Sequence, residues 1–124
     1  MYTHVMVGTN DIAKAKQFYD ACFTALGGNA GAEHNGRAFY QHNGGAFGVG
    51  QPGNGEPATS ANGGTIGFSA EGKDQIDAWH AAGLANGGSS EGDPGPRPQA
   101  PGNAYGAYLR DPDGNKLCAF CQLG

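Results

Sequence analysis

Positive charge is scarce in this chain: seven Lys and Arg stand against eleven Asp and Glu, giving a net charge of −4, and no basic cluster occurs. That gives no electrostatic reason to expect a nucleic-acid partner. No uninterrupted apolar run approaches the roughly 20 residues needed to span a bilayer, so no membrane partner is expected. Met1–Gly8 lacks the basic start and apolar segment of a secretory leader. Cysteine is limited to Cys22, Cys118 and Cys121, an odd count that does not suggest a disulfide framework. A soluble cytoplasmic protein is the expectation. The glycines of Gln51–Gly64 do not follow a strand and open a helix, so no nucleotide-binding loop is read there.

Glycine, by contrast, is abundant. With 24 Gly and 7 Pro among 124 residues, these two types fill 25% of the chain, a level bordering on that of disordered sequences, about 25–30%. Hydrophobic residues at 38%, twelve aromatics and a low net charge argue for a packed core instead. The length suits a single compact domain.

His4-Val5-Met6-Val7 reads as a short strand closed by Gly8-Thr9-Asn10-Asp11. Ile12, Ala15, Phe18, Tyr19, Cys22 and Leu26 then recur at helical spacing, with Asn10 or Asp11 as the cap and Gly27-Gly28 as the stop. Arg37–His42 and Ala46–Gly50 are strand-like runs around the turn Asn43-Gly44-Gly45. The order then repeats. Thr65–Ser69 is a strand, Ile76, Trp79, Ala82 and Gly83 mark a helix ended by Gly87-Gly88, and after an irregular stretch Ala107–Arg110 and Lys116–Phe120 pair around Asp111-Pro112-Asp113-Gly114. We therefore expect an α+β fold of two βαβββ modules, about 1–50 and 65–124, joined by a linker at about 51–64.

Alternation along the strands assigns two faces. Val5, Val7, Phe47, Val49, Ile66, Phe68, Leu117 and Ala119 should lie under the helices. His4, Met6, Gly48, Thr65, Gly67, Ser69, Cys118 and Phe120 fall on the other face, whose mixed and small side chains suit a cleft.

The arrangement resembles the vicinal oxygen chelate superfamily, the glyoxalase, bleomycin-resistance and extradiol dioxygenase group. The resemblance rests on His4-Val5-Met6-Val7-Gly8 with Asp11-Ile12 and Phe18-Tyr19, on Pro94-Gly95-Pro96-Arg97-Pro98, and on Ala107 to Lys116. It implies an open, cup-shaped mixed sheet with helices outside, and in metal-dependent members a divalent ion held on the inner face. Carried over by position, the first-strand ligand histidine falls on His4. Thr65 stands where many relatives have histidine, Cys118 where they often have glutamate, and Gly48 at the corresponding place in the first half. One imidazole, one hydroxyl and one thiol are a poor set for magnesium, manganese or nickel and a partial one for zinc. No cofactor is therefore expected; a divalent metal, with His4 as a ligand, is the alternative. His34 and His42 could complete a site only if their loops fold over the cleft.

His4 also has a plainer role as a cleft residue bonded to a neighbour, and His80 beside Trp79 reads as packing or solvent-facing. Phe39, Tyr108 and Phe120 could line the cleft against a planar ligand; Phe39 and Tyr40 could equally pack under loops or at a subunit contact. Arg97, in a proline-stiffened segment, could reach an anionic ligand or stay an exposed loop arginine. Cys118 and Cys121 form a C-x-x-C, but an offset of three on a strand puts the thiols on opposite faces; Cys121 and Cys22 read as core. Asp111 and Asp113 read as turn residues rather than an acid/base pair.

The leading expectation is a homodimeric small-molecule binding protein with His4, Phe39, Gly48, Thr65, Arg97, Tyr108, Cys118 and Phe120 at its cleft. The alternative is a metal-dependent lyase or isomerase acting on a glutathione adduct or similar substrate. A module that only binds another protein is a third class, with no specific support in the sequence.

Overall fold

A computed structural model describes residues 1–124. The chain runs β1 (Val5–Gly8), α1 (Ile12–Ala25), β2 (Ala32–His34), β3 (Arg37–His42), β4 (Gly45–Gly50), β5 (Ile66–Ser69), α2 (Lys73–Ala85), β6 (Ser89–Pro96), β7 (Ala104–Arg110) and β8 (Lys116–Gln122). It makes two four-stranded mixed sheets, ordered β1-β4-β3-β2 and β5-β8-β7-β6. In each, the first strand runs parallel to the last and the other pairs are antiparallel. These are the two βαβββ modules, one helix each. No helix is long and apolar enough to cross a membrane.

Local chemistry sets the boundaries. Asp11 caps α1, its Oδ1 accepting from the Lys14 amide at 3.1 Å. Gly27 closes the helix at φ +86°, and the Gly28 amide returns to the Phe23 carbonyl at 2.8 Å. Two hairpins turn on Asn-Gly pairs with positive φ, Asn35-Gly36 and Asn43-Gly44, the twist that matches paired strands.

The two helices pack on each other and cover one face of both sheets. Ala15, Phe18, Tyr19, Cys22, Phe23 and Leu26 of the α1 segment meet Ile76 and Trp79 of α2. Beneath them lie Ala38, Tyr40, Phe47 and Val49 of one sheet and Ala107, Leu109, Leu117 and Ala119 of the other. Burying each large side chain contributes about 1.5–3 kcal/mol. Alternation places the apolar set on this face as expected, with Cys22 and Cys121 in the core.

The stretch between α2 and the last hairpin is not irregular. Ser89–Pro96 forms β6 and Ala104 already belongs to β7. With two prolines, two glycines and no β-branched or aromatic residue, β6 has no strand signature of its own; it exists because β7 offers a ladder. It is an edge strand with register shifts between Ser90, Gly92 and Gly95, where proline is tolerated. Strand β2 completes the βαβββ order of the first module, at a place that no strand-like run in the sequence marks; the Asn35-Gly36 pair is its signal.

Candidate functional site

Opposite the helices, each sheet presents an inner face. On the first, β1 contributes His4, just before its start, and Met6; β3 contributes Arg37 and Phe39; β4 contributes Gly48 and Gly50. Phe39 is registered against Gly48, and Met6 against Gly48 from the other side. A methyl group on Gly48 would overlap the Met6 sulfur and come within 3.0 Å of Phe39 Cε1. The bare strand is therefore a floor on which neighbouring side chains lie.

His4, Met6, Arg37 and Phe39 line an open cavity of about 610 Å³, together with residues of the Gln51–Thr59 segment. Ala58 anchors that segment, its amide donating to Asn10 Oδ1 at 2.7 Å. His4 is exposed, with Nδ1 2.8 Å from Thr3 Oγ1. Thr65, exposed just before β5, lines an adjoining cavity of about 320 Å³ with Met6, Val7 and Lys116.

The second inner face carries Cys118, Tyr108 and Phe120. Tyr108 and Phe120 meet edge to face at 5.8 Å, and Tyr108 is flanked by Lys116 at 5.3 Å and Arg97 at 5.7 Å. The Arg97 guanidinium donates to the carbonyls of Asp93, Gly95 and Pro96 at 2.6 to 3.2 Å. Its geometry is that of a loop clamp. Burial pushes the Cys118 thiol up to about 11, with Lys116 opposing, so it is protonated at neutral pH and is neither nucleophile nor ready ligand.

Of the residues singled out in the sequence, His4, Phe39 and Gly48 thus share one inner face, while Tyr108, Cys118 and Phe120 share the other. Thr65 borders the first, and Arg97 lies beyond β6. Sequence reasoning passed over Arg37, although alternation from Phe39 puts it on the same face. His34 and His42 are on the first sheet, His42 beside Phe23 on the helix side. His80 is buried, its Nε2 2.9 Å from Ser90 Oγ, and desolvation lowers its pKa.

The four inner-face positions offer an exposed imidazole, a glycine, a hydroxyl and a buried protonated thiol. Nowhere do three or more His, Cys, Asp or Glu side chains converge. These residues do not fit a catalytic divalent ion, which takes about three matched protein ligands. The carboxylates of Asp111 and Asp113 are committed to the turn: Asp111 accepts from the Asp113 and Asn115 amides at 2.9 Å, and Asp113 from the Asn10 amide at 2.9 Å.

Comparison with known proteins matches this architecture. The profile of the Glyoxalase/Bleomycin resistance protein/Dioxygenase superfamily matches residues 2–119. A solved glyoxalase/bleomycin resistance protein from Albidiferax ferrireducens T118 is 53% identical, covering 97% of this chain and 98% of its own, with a TM-score of 0.93. Fosfomycin resistance protein FosX from Mesorhizobium loti (15% identity, 97% and 90% covered, TM-score 0.69) and lactoylglutathione lyase from Agrobacterium tumefaciens (22%, 97% and 92%, 0.65) share the fold. No protein of curated function matches the chain.

Proposed function

The chain belongs to the glyoxalase/bleomycin resistance protein/dioxygenase superfamily, and from that premise we propose that it is a small-molecule binding protein that works without the divalent metal of its catalytic relatives. The observation that carries this reading is the Gly48 floor. Where a larger functional side chain would project in many relatives, a thioether and a phenyl ring lie over bare backbone. The cavity beside it is lined largely by polar residues and glycines, with Met6 and Phe39 supplying the apolar contact, a combination by which pockets hold and orient small organic ligands.

The reading includes a homodimer in the cytoplasm. Strands β1 and β5 each end a sheet and leave one edge unpaired, to which a second chain can add. Three free cysteines, all buried, suit a reducing compartment.

Metal analysis of protein purified without chelator tests the proposal against the lyase reading. We expect no stoichiometric nickel, zinc or manganese, and no lactoylglutathione from methylglyoxal and glutathione. Near-stoichiometric metal that is lost in His4→Ala would overturn the metal-free reading.

A further inference from the structure

Of the seven Lys and Arg, Lys14, Lys16 and Lys73 belong to the helices. Arg37, Arg110 and Lys116 stand on strands, and Arg97 follows β6. Three of these four have local partners. Arg110 pairs with Glu91 at 2.6 Å, Arg97 is bonded to three carbonyls, and Lys116 lies over the Tyr108 ring. Arg37 has neither an ion-pair nor a hydrogen-bond partner. Its stem rests on the second bare position of β4, where a methyl on Gly50 would stand 3.3 Å from Arg37 Cβ and Cδ. The guanidinium is the one Lys or Arg charge lining the 610 Å³ cavity, and no carboxylate lines it. In a protein of net charge −4, this cavity thus combines an uncommitted cation with a lining that holds no carboxylate.

From this geometry we propose, resting on the small-molecule reading above, that the cavity takes a small aromatic carboxylate. The ring lies against Phe39 and Met6, which are 37% and 40% exposed, and the carboxylate pairs with Arg37. The planar guanidinium fork matches a carboxylate in two-point contact. The stem resting on Gly50 limits the freedom lost when that contact forms.

The test uses three probes with one ring system: naphthalene-2-carboxylate, its neutral carboxamide, and 2-(aminomethyl)naphthalene. Each is titrated calorimetrically into the intact protein, into Arg37→Gln and into Arg37→Lys. The carboxylate is expected to bind about tenfold or more tighter than the amide, and the cation weakest. The preference should vanish in Arg37→Gln, carboxylate affinity falling at least tenfold toward that of the amide, and return in part in Arg37→Lys. Arg37 is exposed, and a thermal melt confirms that each variant folds. Equal binding of acid and amide, or tighter binding of the amine, overturns the anion inference while leaving a small-molecule site. Failure of all three probes counts against both readings.

Discussion

The phenol of Tyr19 in α1 donates to the carboxylate of Asp111, the residue just after β7, 2.5 Å away and 92 residues on in sequence. Both groups are buried. Asn115 donates to the same Asp111 oxygen at 2.9 Å and to the Gly8 carbonyl at 3.1 Å. The turn of the second module is thereby fastened to the first helix and first strand. A carboxylate pair that invites an acid/base reading is instead a joint between the modules.

Removing the phenol should loosen that joint. Tyr19→Phe leaves Asp111 Oδ2 with one donor, and Asp111→Ala strands the Tyr19 phenol and the amides of Asp113 and Asn115 together, leaving the Asn115 side chain only the Gly8 carbonyl. Leaving a buried polar group unsatisfied costs about 1–3 kcal/mol. Tyr19→Phe is expected at the lower end of that range and Asp111→Ala beyond it, measured as the fall in urea midpoint at constant slope. Hydrogen exchange in Tyr19→Phe should rise at the 111–115 turn and at β1 together. Exchange confined to one module would show that the bond does not couple them.

Stability should decline on the alkaline side, and the thiols set the window. Burial pushes Cys22 up to about 12 and Cys118 up to about 11, against about 8.5 for a free thiol. Above that value the unfolded chain gives up protons that the native state keeps, so the slope of unfolding free energy with pH is negative. Their contribution is fully present below pH ~8.5 and is lost progressively up to about 11 and 12. Buried Tyr19, raised well above the ordinary tyrosine value by desolvation and then by Asp111, extends the loss upward from about pH 10. Urea midpoints taken from pH 7.5 to 10.5 should stay nearly level to about pH 8.5 and then fall, and the fall should be shallower in Cys22→Ala. An equal slope in that variant would remove Cys22 from the account.

Much of this was legible in the sequence because local rules and tertiary context agree. Helix α1 has its period, its Asp11 cap and its glycine stop, and the apolar residues of β1, β4, β5 and β8 alternate cleanly. Strand β6 was illegible because Ser89–Pro96 has no apolar alternation and no β-branched or aromatic residue; its pairing with β7 makes it a strand. The inner-face membership of His4, Gly48 and Cys118 follows from parity alone. That Arg97 is held by three carbonyls while Arg37 is free does not. Parity says which face a residue occupies, whereas a partner such as the Asp93 carbonyl depends on how a bulged loop folds back.

The glycines separate into floor and packing positions, and two substitutions should tell them apart. At Gly48 a methyl meets the mobile end of Met6, a side chain 40% exposed and able to swing away. Alanine also restricts the unfolded chain, worth about 0.5–1 kcal/mol. Gly48→Ala should therefore stay within about 1 kcal/mol of the parent, set by that gain against the displacement of Met6. Gly83 lies inside α2, where alanine is favoured by about 1 kcal/mol on propensity. There a methyl would overlap Leu109, which is fully buried, and stand 3.2 Å from Phe18. Neither can move without shifting the layer between helix and sheet, and overpacking costs about 1–3 kcal/mol. Gly83→Ala should destabilise despite its propensity, while Gly48→Ala keeps its stability and weakens naphthalene-2-carboxylate binding by tilting Met6 into the cavity. Paired urea titrations and calorimetry measure both. A stabilised Gly83→Ala would mean that the α2 contact with Leu109 is looser than its burial implies.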